Sequence, residues 1–269
     1  MNISIRSLSV LLAAGMAATP AAEAALLLQY NFNDATNPTA DSGTGTPANG
    51  SLIGGGNFVT NTPSGSGSAY NTNSNSDSYV ATSADPGKLD LLTNFTVTLW
   101  VNLQAAPDVN DRLVSKLNSG LTEGFDFRFS STSGQLIFVV DNTSNTSTQN
   151  LPVTTNLWQF VAVTYNGGLT SANTNFYSGG VATAVTPLGT AVTVNAGQSA
   201  DSSVNFEVGG TPASASGRSP NAFFDDVRVY DETLTQSELE AIRLSNIPEP
   251  STVLLAALGM ISLGARRRR

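Results

Sequence analysis

The amino-acid sequence predicts an all-β chain: two antiparallel sheets packed face to face as a sandwich. Three observations carry that expectation. Apolar and polar residues alternate in short runs, most clearly over Phe95–Leu103, where Phe95, Val97, Leu99, Val101 and Leu103 fall on one face and Thr96, Thr98, Trp100 and Asn102 on the other. The connecting segments are rich in Gly, Asn, Ser and Thr, residues that suit turns. The mature chain shows a helical signal at one place, after Thr235.

Taken in order, Ala25–Phe32 reads as the first strand. Asn33–Gly67 is turn-rich, with a short strand near Ser51–Ile53. Arg112–Lys116 reads as another. Phe125, Phe127 and Phe129 alternate with Asp126 and Arg128, so three rings point to the core. Ser133-Gly134 turns the chain into Leu136–Asp141. Trp158–Tyr165 is apolar on both faces and reads as a central strand covered on both sides. Thr174–Tyr177 and Val181–Thr186 form a hairpin about Ser178-Gly179-Gly180, and Val204–Val208 is a strand. Phe223–Tyr230 is the last. Thr235-Gln-Ser-Glu238 then fits a capping box, in which hydroxyl and carboxylate each satisfy a free amide at a helix start.

Composition restricts the chemistry. The chain has 269 residues, no cysteine and no histidine. Disulfides and thiol chemistry are excluded, and so are the commonest general base and the commonest transition-metal ligand. The net charge of −8 argues against nucleic acid and anionic membrane surfaces as partners.

The two ends read as addresses. Residues 1–24 have the form of a secretory signal peptide: Arg6, an apolar stretch from Leu8 to Ala18, and a small-x-small site at Ala22-Glu23-Ala24. At the other end stand Pro248-Glu249-Pro250, an uncharged apolar run from Val253 to Ala265, and Arg266 to Arg269. The run is shorter than the roughly 20 residues that span a bilayer comfortably. This tail resembles the PEP-CTERM sorting signal of exported bacterial proteins. The resemblance implies transient anchoring in the inner membrane, recognition by an exosortase, cleavage near Pro248, Glu249 and Pro250, and delivery to the envelope or extracellular matrix of a Gram-negative bacterium. The expected division is 1–24 signal peptide, 25–246 β-domain, 247–269 sorting segment.

Three stretches of the β-domain carry a second resemblance: Phe95-Thr-Val-Thr-Leu-Trp-Val101, Asn156–Gly167, and Phe224-Asp-Asp-Val-Arg-Val-Tyr through Leu239. In this order and spacing they resemble the LamG-like jelly-roll family, with its concanavalin A-like sandwich. The resemblance implies a flat and a concave sheet, first and last strands lying close together, and in some members one structural calcium near them. Asp34 and Asp41 after the first strand, with Asp225 and Asp226 in the last, are the candidate ligands, since calcium takes carboxylate and carbonyl oxygens. Alternation places Asp225 with Val227 and Val229 towards the core, where a buried carboxylate needs a partner; a backbone amide or an arginine serves as well as a metal.

Extracellular polysaccharide is the expected partner. Trp100 and Tyr230 point away from the apolar face of their strands, and Tyr70, Tyr79 and Tyr177 lie in or near loops, as sugar platforms do. Burial in the other half of the core is the expected use of Trp100. Catalysis is not expected. Enzymes of this fold that cut β-glucans cluster their acids as Glu-x-Asp-x-Glu on one strand, and this chain has no such cluster. The expected function is a non-catalytic binding or structural module, with a polysaccharide-active hydrolase as the alternative.

Overall fold

A computed structural model describes residues 24–75, 77–195, 197–212 and 217–247. The signal-peptide stretch 1–23 and the triplet Pro248, Glu249 and Pro250 lie outside the described residues. The chain runs through β1 (Leu26–Tyr30), β2 (Gly50–Ile53), β3 (Asn57–Val59), β4 (Ala69–Asn71) and β5 (Tyr79–Thr82). It continues through β6 (Asn94–Leu103), β7 (Arg112–Leu117), β8 (Gly124–Phe129), β9 (Leu136–Val140) and β10 (Thr143–Thr146). The last strands are β11 (Trp158–Asn166), β12 (Thr174–Gly180), β13 (Thr186–Pro187), β14 (Glu207–Val208) and β15 (Ala222–Tyr230), followed by the helix α1 (Gln236–Ser245).

These strands form two antiparallel sheets, as the alternation predicts. One has eight strands, β13-β12-β11-β6-β15-β4-β3 with β1 also on β15; the other has seven, β10-β9-β8-β7-β14-β5-β2. The main core lies between them. Phe95, Val97, Leu99, Val101 and Leu103 enter it from β6, and Phe125, Phe127 and Phe129 from β8. A fully buried ring of this size contributes roughly 1.5–3 kcal/mol. The predicted hairpin about Ser178–Gly180 sits later than expected: β12 runs on to Gly180, and the turn closes with the Gly180 amide donating to the Thr183 carbonyl at 2.9 Å.

A second apolar cluster covers the outer face of the eight-stranded sheet. Trp100, Phe160 and Tyr230 meet Leu234 and Leu239 there, and the Trp100 and Phe160 rings lie edge to face at 5.5 Å. Thus β11 is covered on both faces, as its sequence predicts. α1 starts with the predicted capping box on Thr235 and Glu238. It is tied to the sheet by Glu240, which accepts the Val185 amide at 2.9 Å.

The facing of Asp225 differs from the alternation reading. Asp225 pairs with Trp100 and Arg228 with Thr98, so three steps on β15 match two on β6. The extra residue is a bulge at Asp226, whose φ is 46°. Asp225 therefore shares the outer face with Trp100, while Val227 and Val229 stay in the main core.

Candidate functional site

The carboxylates are the chain's scarce reactive groups, and the fold sorts them into separate nodes. Asp41 lies in the loop after β1. Its carboxylate accepts the amides of Gln29 at 3.1 Å, Gly43 at 2.8 Å and Ala48 at 2.9 Å, and it pairs with Lys88. Burial pushes this carboxyl up, but Lys88 and the three amides hold it below the ordinary aspartate value. Asp226 forms the next node. It accepts Gln29 Nε2 at 2.6 Å and Arg228 Nε at 2.8 Å, and also the Asn246 side chain. It so fastens the first strand, the last strand and the end of α1 together.

The structure thus ties Asp41 and Asp226 to one residue, Gln29, the first through its backbone amide and the second through its side chain. Asp34 is exposed and turns its own loop, accepting the Thr36 and Asn37 amides at 2.8 and 3.0 Å. Asp225 accepts the Asp226 amide at 2.8 Å, and burial, with the Asp226 charge beside it, pushes its carboxyl up to about 8.

Among the described residues, the carboxylates close enough to share an ion are others: Asp85, Asp90 and Asp201, whose oxygens lie within 4.8 Å of one another. This cluster can hold an ion, and oxygen ligands suit a hard cation. It already holds an internal one. The Lys116 side chain is completely buried, and its ammonium meets Asp85 at 2.9 Å, Asp90, and the Ser202 carbonyl. Those three acceptors match the three N–H donors of the ammonium. Asp85 and Lys88 also line a pocket of about 420 Å³ with Thr46, Pro47 and Ser83.

A fourth node lies on the outer face of the seven-stranded sheet. Glu207 on β14 is opposite Ser115 on β7, which is opposite Asp126 on β8. Phe125 and Phe127 face the core, so Asp126 faces outward between them. Asp126 pairs with Arg112 at 3.0 Å and with Arg128. Burial pushes Asp126 up, while the two guanidinium groups draw it back. Glu207 is 5% exposed, and burial pushes it up to about 7. Its Oε2 and Asp126 Oδ1 are buried atoms without a hydrogen-bond partner. The sequence reading gave this node no role. Its signal was the charged pair Asp126 and Arg128, two apart on a strand whose rings all face the other way.

Of the aromatic platform read from the sequence, Tyr79 and Tyr177 are half-buried and the other three rings are closed to a ligand. Trp100 and Tyr70 are completely buried and Tyr230 is 7% exposed. Trp100 packs beneath α1 rather than between the sheets.

Residues 73–240 match the family described as the concanavalin A-like lectin/glucanases superfamily, and residues 246–269 match the PEP-CTERM protein-sorting motif. That motif marks a bacterial chain for export, surface sorting and exosortase processing. Among the described residues no helix is long and apolar enough to cross a membrane. No curated protein matches the chain. Among solved structures, domain 4 of AbnA, an extracellular arabinanase from Geobacillus stearothermophilus in complex with arabinotriose, superposes with TM-score 0.59 at 14% identity, covering 82% of this chain and 98% of that domain. Botulinum neurotoxin type C, which enters cells through interaction with two ganglioside molecules, superposes with TM-score 0.52 at 13% identity, covering 82% of this chain and 51% of that one. The binding domain of Paraclostridial Mosquitocidal Protein 1 gives TM-score 0.54 at 15% identity, covering 82% and 52%. The chain spans about half the length of these last two, and at such identities the likeness concerns the fold. The chain belongs to the concanavalin A-like lectin/glucanase superfamily and carries a PEP-CTERM sorting motif at its C-terminal end.

Proposed function

We propose that this protein is an exported, non-catalytic module that binds extracellular glycan, delivered by an exosortase to the cell envelope or extracellular matrix of a Gram-negative bacterium. Residues 1–24 are removed on export, 25–246 form the working body, and 247–269 serve as the transient membrane anchor that is cut. One observation carries the non-catalytic part: Asp41, Asp90, Asp126 and Asp226 are each paired with a lysine or arginine, and the unpaired Asp111, Asp141, Glu207 and Asp225 are at most 9% exposed. Glycoside hydrolysis needs two carboxyl groups free to flank a substrate bond. The sandwich fold and the sorting motif support the exported, sugar-binding part, as do the carbohydrate ligands of two fold neighbours.

A hydrolase remains the second reading, because Glu207 and Asp126 stand two strands apart with differently tuned environments. Their burial, at 5% and 0% exposure, weighs against it. Incubation of the purified chain with a polysaccharide panel tests both. Co-sedimentation with insoluble glycan and no new reducing ends supports the binding module; release of reducing ends overturns it.

Asp85, Asp90 and Asp201, rather than Asp34, Asp41, Asp225 and Asp226, are the carboxylates proposed to hold the ion, in competition with Lys116. A rise in Tm on adding calcium to chelated protein supports it, and a flat response removes it.

A further inference from the structure

Two adjoining grooves, of about 330 and 370 Å³, lie where β11 begins and β12 ends, and both include Gln159, Gly179 and Thr183 in their walls. Their floor is backbone, fixed from behind. Buried Arg243 of α1 donates from Nη1 to the carbonyls of Gly180 at 2.6 Å and Val181 at 3.2 Å. The same guanidinium is held by Glu240 at 2.7 Å. A Cβ on Gly179 would stand 3.0 Å from Arg243 Cδ, so a larger residue there would press on the side chain that holds this turn.

The lining has a consistent chemistry. Trp158 is locked by its Nε1–H donating to Asn61 Oδ1 at 3.0 Å, and it lines one groove. Leu157 and Val181, 57% and 42% exposed, form an apolar rim. Thr154, Thr183, Ser178 and Thr186 supply hydroxyls. Gln159 is 9% exposed; its Nε2 donates to the Pro152 carbonyl at 2.8 Å, and its Oε1 has no hydrogen-bond partner. That oxygen is itself buried, so Gln159 shapes the wall rather than offering an acceptor to a ligand. Among the described residues no charged side chain lines either groove.

We propose that this groove is a binding site for an uncharged saccharide chain, whose hydroxyls meet those of the threonines and Ser178 and whose C–H faces pack on Leu157, Val181 and Trp158. The absence of lining charge and the net charge of −8 both disfavour uronate or sulfated chains. The proposal rests on the glycan-binding reading above and gives it a place and a ligand class.

The test is calorimetric titration of the purified full chain with neutral gluco-, manno-, xylo- and arabino-oligosaccharides and with oligouronates. The variants Leu157→Asp and Val181→Asp change exposed positions; Leu121→Asp, at another exposed position, is the control. We expect saturable binding of at least one neutral saccharide, weakened tenfold or more by either groove variant and unchanged in the control. Neutral binding that both groove variants retain overturns this site while leaving the glycan reading intact. Binding confined to oligouronates overturns the ligand class. No binding across the panel overturns the glycan reading and this site with it.

Discussion

Asp225 stands opposite Trp100 on the outer face of the eight-stranded sheet, a carboxyl 4% exposed beside a completely buried indole. The bulge at Asp226 puts it there, where β15 changes its partner from β4 to β1. Burial favours the neutral acid, so its folded-state value of about 8 lies far above the ordinary aspartate value of 3.8. A raised value means that the stabilisation is full below the unfolded value and is lost as pH rises through the folded one. Asp225→Asn keeps an acceptor for the Asp226 amide and removes the titration. At pH 8 the variant should be more stable than wild type by about 1–3 kcal/mol, and near pH 4 the two should match. Urea unfolding at the two pH values measures this.

Two further groups act in the same direction. Burial raises Glu207 to about 7 from 4.5, and Asp111 to about 6 from 3.8. Wild-type stability should therefore decline between about pH 4 and pH 8. Asp41 has the opposite sign: its value is lowered, so its contribution disappears below the ordinary aspartate value. Thermal unfolding across pH 3 to 9 should show a maximum on the acid side of neutrality, and Glu207→Gln should flatten the decline near pH 7.

Asp226 binds three elements at once, through Gln29, Arg228 and Asn246. Its removal leaves the Arg228 guanidinium without its carboxylate in a half-buried place. Asp226→Ala should cost about 3 kcal/mol. The end of α1 should lose protection before the sheets do, a difference that hydrogen exchange of amides in 236–245 reads directly.

Lys116 serves as the cation of the Asp85, Asp90 and Asp201 cluster. Lys116→Met should change stability little, by about 0–1 kcal/mol, because the buried ammonium goes with its own desolvation cost while Asp85 and Asp201 stay exposed and Asp90 half-buried. It should also make Tm more responsive to calcium than in wild type, since the competitor has gone. Equal calcium responses in the two proteins would place any bound ion elsewhere.

The main core was legible in the sequence because strand faces follow from period-two alternation alone. The β6 and β8 side chains obey it without exception. The capping box of α1 was legible for the same reason, being local. The bulge was not: an aspartate gives no warning of a positive φ as a glycine would. Edge strands such as β4, Ala-Tyr-Asn, and β10, Thr-Ser-Asn-Thr, are too short and polar to show a period. The acid nodes are assembled by topology. Ser202 donates its amide to Asp90 across 112 positions, and no spacing rule reaches that far. The second apolar cluster likewise depends on where α1 returns, which decided that Trp100 would be covered rather than offered to a ligand.

The most direct test of a binding surface without a reactive centre is a proton NMR time course of the purified chain mixed with a neutral oligosaccharide. The predicted result is broadened or shifted sugar resonances from the first spectrum, with the anomeric signals of the intact chain unchanged after many hours. Growth of new reducing-end anomeric signals, or sugar spectra indistinguishable from the free saccharide across every neutral chain tried, would contradict it.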